Sequence, residues 1–167
     1  MKITKVSVLH VHMIQTDPGE KGQRPILVRI DTDEGIYGIG EIGMAYGCGG
    51  TAAVGMVRDL ATKIIGMNPL NTEAIWEKLL KTTFWGQGGG TVIFGGISGI
   101  DIALWDIKGK VWGAPVYQLL GGKCRDDLRV YASQIQLGWA PKRNICCTPE
   151  DYAREARKAV DEGYDAV

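Results

Sequence analysis

His10 and His12 stand two residues apart, so on a strand both imidazoles share one face at a spacing that can hold a metal ion. No third ligand with matching spacing stands nearby, and a structural or loop-contact role is the competing reading. His12, Arg24 and Tyr46 are candidate hydrogen-bond donors to hydroxyl or carboxylate oxygens. They border or lie among the breakers Asp17-Pro18-Gly19 and Gly47-Cys48-Gly49-Gly50; the bland alternative for each is a solvated loop. Trp85-Gly86-Gln87-Gly88-Gly89-Gly90-Thr91 invites a phosphate-loop reading but lacks the Gly-Lys-Ser/Thr ending and a preceding strand to aim its amides. It reads better as a linker that lets a following helix pack closely. Asp101 and Asp106 look like an acid pair, yet five helical residues separate them by about 140° of rotation, so they do not converge on a substrate. Asp106 with Lys110 makes an i, i+4 surface pair. The four cysteines, Cys48, Cys124, Cys146 and Cys147, lack C-x-x-C spacing and read as free thiols.

These groups must be held by a globular scaffold, because 45% of the 167 residues are hydrophobic and 23% charged, which excludes disorder and membrane spanning. Nineteen Lys and Arg balance nineteen Asp and Glu, so no net field favours nucleic acid or an anionic membrane. Twenty-four glycines, about twice average usage, point to tight turns and close backbone approaches. The start, MKITKVSVLHVHM, does not read as a signal peptide, and a cytoplasmic protein is expected.

Lys2 to His12, Pro25 to Asp31 and Ile36 to Glu41 carry the β-branched content and alternation of strands, with Thr32-Asp33-Glu34-Gly35 as a turn in which Asp33 bonds the backbone. A three-stranded antiparallel meander follows. Ala53, Met56, Val57, Leu60 and Ile64 predict a helix capped by Thr51, and Ile75, Trp76, Leu79 and Leu80 a second capped by Asn71. A third is expected from about Ser98 to Val111. Trp76, Trp105 and Trp112 lie on these stripes and read as packing residues. Arg129 to Ser133 and Tyr164 to Val167 read as parallel strands around a helix opened by Thr148-Pro149-Glu150-Asp151. A lone βαβ unit cannot cover both faces of its strands, so Val167 is expected to be a truncation point.

Two stretches, T32-D-E-G-I-Y-G-I-G-E41 and S98-G-I-D-I-A-L-W-D-I-K-G-K-V-W-G-A-P-V-Y-Q-L-L-G-G122, resemble the mandelate racemase and muconate lactonising enzyme branch of the enolase superfamily. Gly96 departs from the pattern, where alanine is more usual. The resemblance implies an α+β capping domain over residues 1–125, a three-stranded antiparallel meander followed by a helical bundle. The first βα unit of a truncated (β/α) barrel then occupies 126–167. It further implies proton abstraction α to a carboxylate, with Mg²⁺ balancing the charge that develops. Mg²⁺ ligands and catalytic groups are expected beyond Val167, so this chain supplies no metal or catalytic residue and is expected to be inactive alone. Its share is substrate binding by His12, Arg24 and Tyr46 on two cap loops, 12–24 and 43–50, and by Ser133 at the end of the first barrel strand. Gln134 and Gln136 beside it are polar enough to serve.

The Gly-rich passage before the third helix and the polar loop after the first barrel strand resemble those of the family's sugar-acid dehydratases, which implies a Mg²⁺-dependent sugar-acid dehydratase as the parent enzyme. The expected partners are a small carboxylate substrate, the protein's own C-terminal barrel and further copies in a homo-oligomer. A racemase or cycloisomerase of the same family is one alternative. The other is a naturally short, non-catalytic ligand-binding or interaction module.

Overall fold

The computed structural model describes residues 1–11, 25–44, 49–138 and 145–167, the Trp85 side chain excepted. Candidates His12, Arg24 and Tyr46, with Cys48, lie outside the described residues. The chain divides into two compact units, Met1–Gly122 and Lys123–Val167.

The first unit opens with three antiparallel strands in the order β1-β2-β3: β1 Ile3–His10, β2 Ile26–Thr32 and β3 Tyr37–Ile42. Alternation in β2 buries Ile26, Val28 and Ile30 completely, as the period-2 pattern requires. Gly35 turns the β2–β3 hairpin at φ 77°, open to a residue without Cβ. Asp33 does not bond within this turn as expected; its carboxylate accepts from the Lys2 N–H at 2.6 Å and anchors the start of β1, while the Thr32 hydroxyl takes over the turn by donating to the Ile36 carbonyl.

Helices α1 Gly50–Ile64 and α3 Thr91–Trp112 cover the sheet's apolar face, α2 Thr72–Lys81 packs on those two helices, and the single turn α4 Val116–Leu119 follows. The spacing of Ala53, Val57, Leu60 and Ile64 puts them together in the core with Ile75, Leu79, Ile100 and Leu104. Thr51 is not the cap of α1, because the helix begins one residue earlier, after Gly49 at φ 112°. Asn71 does precede α2, but its side chain makes no capping bond. Trp76 and Trp112 are partly exposed, so their stripes are only partly buried, whereas Ile107 lies fully in the core.

Helix α3 is a full two turns longer at its start than its pattern predicts, reaching back to Thr91. Tertiary packing explains the difference. Glycines 95, 96 and 99 weaken local helix preference, yet an added Cβ would meet Ile42 and Met44 at Gly95, Met56 and Leu60 at Gly96, and Ile42 and Val28 at Gly99. Gly96, the departure from the family pattern, therefore leaves room for α1: a Cβ there would stand 2.8 Å from Met56 Cγ. The closest approach is on β3, where a Cβ at Gly38 or Gly40 would fall 2.0 Å from the carbonyl oxygens of Ala103 and Gly99 respectively.

The outer edge of β3 is closed by the same helix. Asp106 accepts the Ile39 N–H at 2.8 Å, and Lys110 donates to the Tyr37 carbonyl at 2.8 Å and to Asp106 at 2.7 Å. The i, i+4 pair is thus an edge cap that satisfies strand groups otherwise open to another chain. At the other edge, Ile3 exchanges backbone bonds with Gly66 and Met67.

In the second unit, α5 Pro149–Asp161 starts with the full capping box, Thr148 accepting from Asp151 N while Asp151 accepts from Thr148 N. The flanking segments differ from expectation, for neither 129–133 nor 164–167 is a strand. Among the described residues they share one backbone bond, Ala132 N–H to the Ala166 carbonyl at 2.9 Å. A parallel ladder needs a repeated series of such bonds, and here it stays at its first rung. Among the described residues no helix is long and apolar enough to cross a membrane.

Candidate functional site

β1 ends, β2 begins and β3 ends at one end of the sheet, where Ile26 pairs with both His10 and Ile42. The Val11 N–H donates to the Pro25 carbonyl at 2.9 Å, closing the base of segment 12–24. Helix α1 starts at the same place: a Cβ on Gly50 would lie 3.3 Å from the His10 ring and 3.4 Å from Ile26 Cδ1. The fold therefore roots the segment bearing His12 and Arg24 and the segment bearing Tyr46 side by side around Ile26.

Ser133, the fourth candidate, lies in the second unit on a cleft of about 430 Å³, within the size range of small-ligand sites. A small core of Ala132, Ile135 and Ala159, with Ala156 and Tyr164 against it, fixes the cleft's floor. Alternation along the extended segment buries Ala132 and turns Tyr131 and Ser133 outward. Gln134 then adopts left-handed backbone angles, φ 66° and ψ 32°, and opens a 3-10 turn over Ile135–Leu137. That turn is held from behind, since Cys146 N–H donates to the Gln136 carbonyl and Cys146 Sγ contacts the Ile135 carbonyl oxygen.

Among the described residues lining the cleft, the polar side chains are those of Tyr131, Ser133, Gln134, Gln136 and Tyr152, while the apolar surface of Ala132, Ile135, Ala153, Ala156 and Val167 predominates. Those side chains can donate and accept hydrogen bonds, and among them there is no carboxylate, imidazole or amine side chain to move a proton near neutral pH. Tyr131 and Tyr152 were not singled out from the sequence. Tyr131 is legible as the same-face neighbour two residues before Ser133; Tyr152, on the first turn of α5, gives no signal without the fold.

Two acids of α5, Asp151 and Glu155, are committed to ion pairs along the helix. Asp151 is held far below the usual carboxylate range by Arg154 at 2.7 Å, then by the Cys147 and Thr148 amides and the Thr148 hydroxyl. Glu155, only 1% exposed, receives Lys158 on both oxygens at 2.9 Å and Arg154 at 3.2 Å, so a buried carboxylate is paired with two cations.

Asp101 and Asp106 do not converge. Burial pushes the Asp101 carboxyl up, helped by repulsion from Glu73 and opposed by Lys108 and a Trp105 hydrogen bond. Lys108 itself donates to the buried Thr72 hydroxyl and sits 4.5 Å from the Trp105 ring centroid. Among the described residues no three His, Cys, Asp or Glu side chains gather to hold a metal. Proteins hold Mg²⁺ through one or two carboxylates, and the side chains lining the cleft include none, so they do not fit it.

The family model described as "Mandelate racemase / muconate lactonizing enzyme, N-terminal domain" matches residues 3–121. A D-galactonate dehydratase family member, RspA of Pantoea ananatis, is 41% identical over 168 residues, covering 99% of this chain and 36% of its own. A member of the enolase superfamily from Salmonella Typhimurium superposes with a TM-score of 0.90 at 54% identity, covering 98% of this chain and 40% of that one. An enolase from Pantoea ananatis with bound D-gluconate and Mg superposes with a TM-score of 0.71 at 34% identity, over 97% of this chain and 34% of that one. The chain spans about a third of the length of the curated relatives it matches.

Proposed function

Because the chain belongs to the mandelate racemase / muconate lactonizing enzyme family of the enolase superfamily, we propose that it is the capping domain and first barrel segment of a sugar-acid dehydratase. The observation that carries this reading is the match along nearly the whole chain to a D-galactonate dehydratase family member. In the parent reaction a proton leaves the carbon next to the substrate carboxylate, the hydroxyl on the following carbon departs as water, and the resulting enol becomes a 2-keto acid. Mg²⁺ supplies charge stabilisation at the carboxylate; the residues described here do not fit it, and both its ligands and the proton-transfer groups are assigned to the rest of the parent protein.

The role of this chain is to bind, orient and exclude water. Substrate contact is assigned to His12, Arg24 and Tyr46, on segments rooted at the Ile26 end of the sheet, and, taken by itself in the second unit, to Ser133 on its cleft. Adjacent rooting supports a joint cover over one ligand, which would strengthen every electrostatic contact beneath it by displacing water. The protein's own barrel, a cytoplasmic setting and assembly into a homo-oligomer complete the reading.

The parent protein is to be incubated with Mg²⁺ and D-galactonate, D-mannonate or D-gluconate, and the 2-keto product measured. The expected result is keto acid formed by the parent, abolished by chelation, and none from residues 1–167 alone. Epimerised acid without keto product would assign the racemase activity instead, and no conversion of any acid would refute the proposal.

A further inference from the structure

Helix α3 is apolar on two sides. One side, centred on Ile100, Ala103 and Ile107, fills the core. At about 100° per residue, Phe94, Ser98, Asp101, Trp105 and Trp112 fall within about 60° of one another on the other side, with Ile102 at their margin. Phe94 is 44% exposed there, Ile102 46% and Trp112 55%. The outer side of a surface helix ordinarily carries charge, and a helix that is hydrophobic all round belongs where both sides are covered. Asp101 lies one turn before Trp105. Lys108 follows Trp105, its ammonium 4.5 Å from the Trp105 ring centroid and donating to the uncharged Thr72 hydroxyl at 2.7 Å.

We propose that the outer side of α3 is an interface between two copies of this chain, packed antiparallel about a twofold axis beside Trp105. The inference rests on the homo-oligomer in the reading above and names its surface. A twofold contact must be complementary to itself, and this stripe is. In the antiparallel arrangement Asp101 faces the partner subunit's Lys108, Lys108 faces the partner subunit's Asp101, and the exposed indole of Trp112 lies over the partner subunit's Ser98. A parallel pair would set Asp101 against Asp101 and Lys108 against Lys108, so charge selects the antiparallel one. The apolar residues of the stripe, two of them tryptophan, are of the kind that anchors interfaces. With 22 residues the helix is about 33 Å long, a contact at the small end of specific interfaces, so a micromolar dimer is expected.

The test is sedimentation velocity of the parent protein from about 0.1 to 100 µM, with hydrogen exchange of residues 98–112 followed over the same range. Association with a rise in α3 protection is expected. Asp101→Lys and Lys108→Asp are each expected to weaken association at least about tenfold by setting like charges together, and the double variant to recover to within about threefold of the parent. A merely structural role for these residues would not produce that recovery, so a double variant no stronger than the singles overturns the proposal. Should the charge variants not fold, Trp112→Ser, at the exposed end of the helix, decides: association unchanged there overturns it equally. No association up to about 100 µM overturns it, and so does full protection of 98–112 in the dilute monomer, which would mean that the parent's own chain covers the helix. Failure of the dehydratase reading shows separately: a monomeric parent that forms keto acid overturns the interface alone, and a dimer without turnover overturns the dehydratase alone.

Discussion

Replacing Gly40 by alanine tests the packing on which the whole first unit depends. The new Cβ would stand 2.0 Å from the Gly99 carbonyl oxygen and 2.9 Å from the Ala103 nitrogen, both backbone atoms of α3. Carbon–oxygen contacts settle at about 3.3 Å or more, so strand and helix must separate by roughly 1.3 Å. No rotamer change relieves a clash between two backbones. Overpacking of this kind costs about 1–3 kcal/mol and more where the obstacle is rigid, against a gain of roughly 0.4–1 kcal/mol from stiffening the unfolded chain. A net loss of about 1–3 kcal/mol is expected, toward the upper end because the obstacle is backbone. For a unit of this size each kcal/mol moves the midpoint by roughly 3–5 °C, so the thermal midpoint of the chain, followed by circular dichroism, is expected to fall by about 3–15 °C. Gly43→Ala is the control: a Cβ there meets nothing within 4 Å, and its midpoint is expected to hold level or rise by up to about 5 °C. If Gly40→Ala melts as Gly43→Ala does, the close approach of β3 and α3 is wrong.

Asp106→Ala removes the acceptor of the Ile39 N–H and the partner of Lys110, and is expected to cost about 1–2 kcal/mol, with faster hydrogen exchange at the Ile39 amide as the specific readout. Asp151 is depressed in the folded state, so its stabilising share is present above the unfolded value near pH 4 and fades as pH falls toward the folded value. Asp151→Asn is therefore expected to melt lower than the parent at pH 7, with the gap closing progressively below about pH 4. Asp101 has the opposite sign: its raised folded value means that stability is lost as pH rises through the carboxylate range, so Asp101→Asn is expected to melt higher than the parent at pH 7 and no higher at pH 3. Equal pH profiles for either variant and the parent would refute the corresponding assignment.

Alternation and helical spacing made the sheet and the middle of each helix legible, because burial on one face leaves a periodic trace: Ile26, Val28 and Ile30, or Val57, Leu60 and Ile64. The first two turns of α3 left none. Glycines 95, 96 and 99 lower helix propensity in isolation, and only the neighbouring Met56, Leu60 and Ile42 show why side chains are missing there. Asp106 was visible as a partner of Lys110, but its bond to Ile39 spans 67 residues and no local pattern encodes it. In the second unit the Thr148–Asp151 cap was readable from four residues, whereas the 129–133 and 164–167 segments carry strand composition without a strand ladder. Of the candidate site, Ser133 could be placed by its position after an extended run. The conformation of Gln134 could not, since glutamine gives no hint of positive φ.

The bond from Val11 to Pro25 has a consequence for how new specificities arise. It pins the two ends of segment 12–24 to adjacent points on a sheet whose position is already set by Gly38, Gly40 and α3. Between fixed ends, doubling the length of a flexible connection costs only about 0.6 kcal/mol, a small part of a domain's stability. A change in the length of that stretch therefore costs the scaffold little in closure entropy. The Ile26 end of the sheet works as a graft site, at which selection can rewrite the connecting sequence without renegotiating the fold.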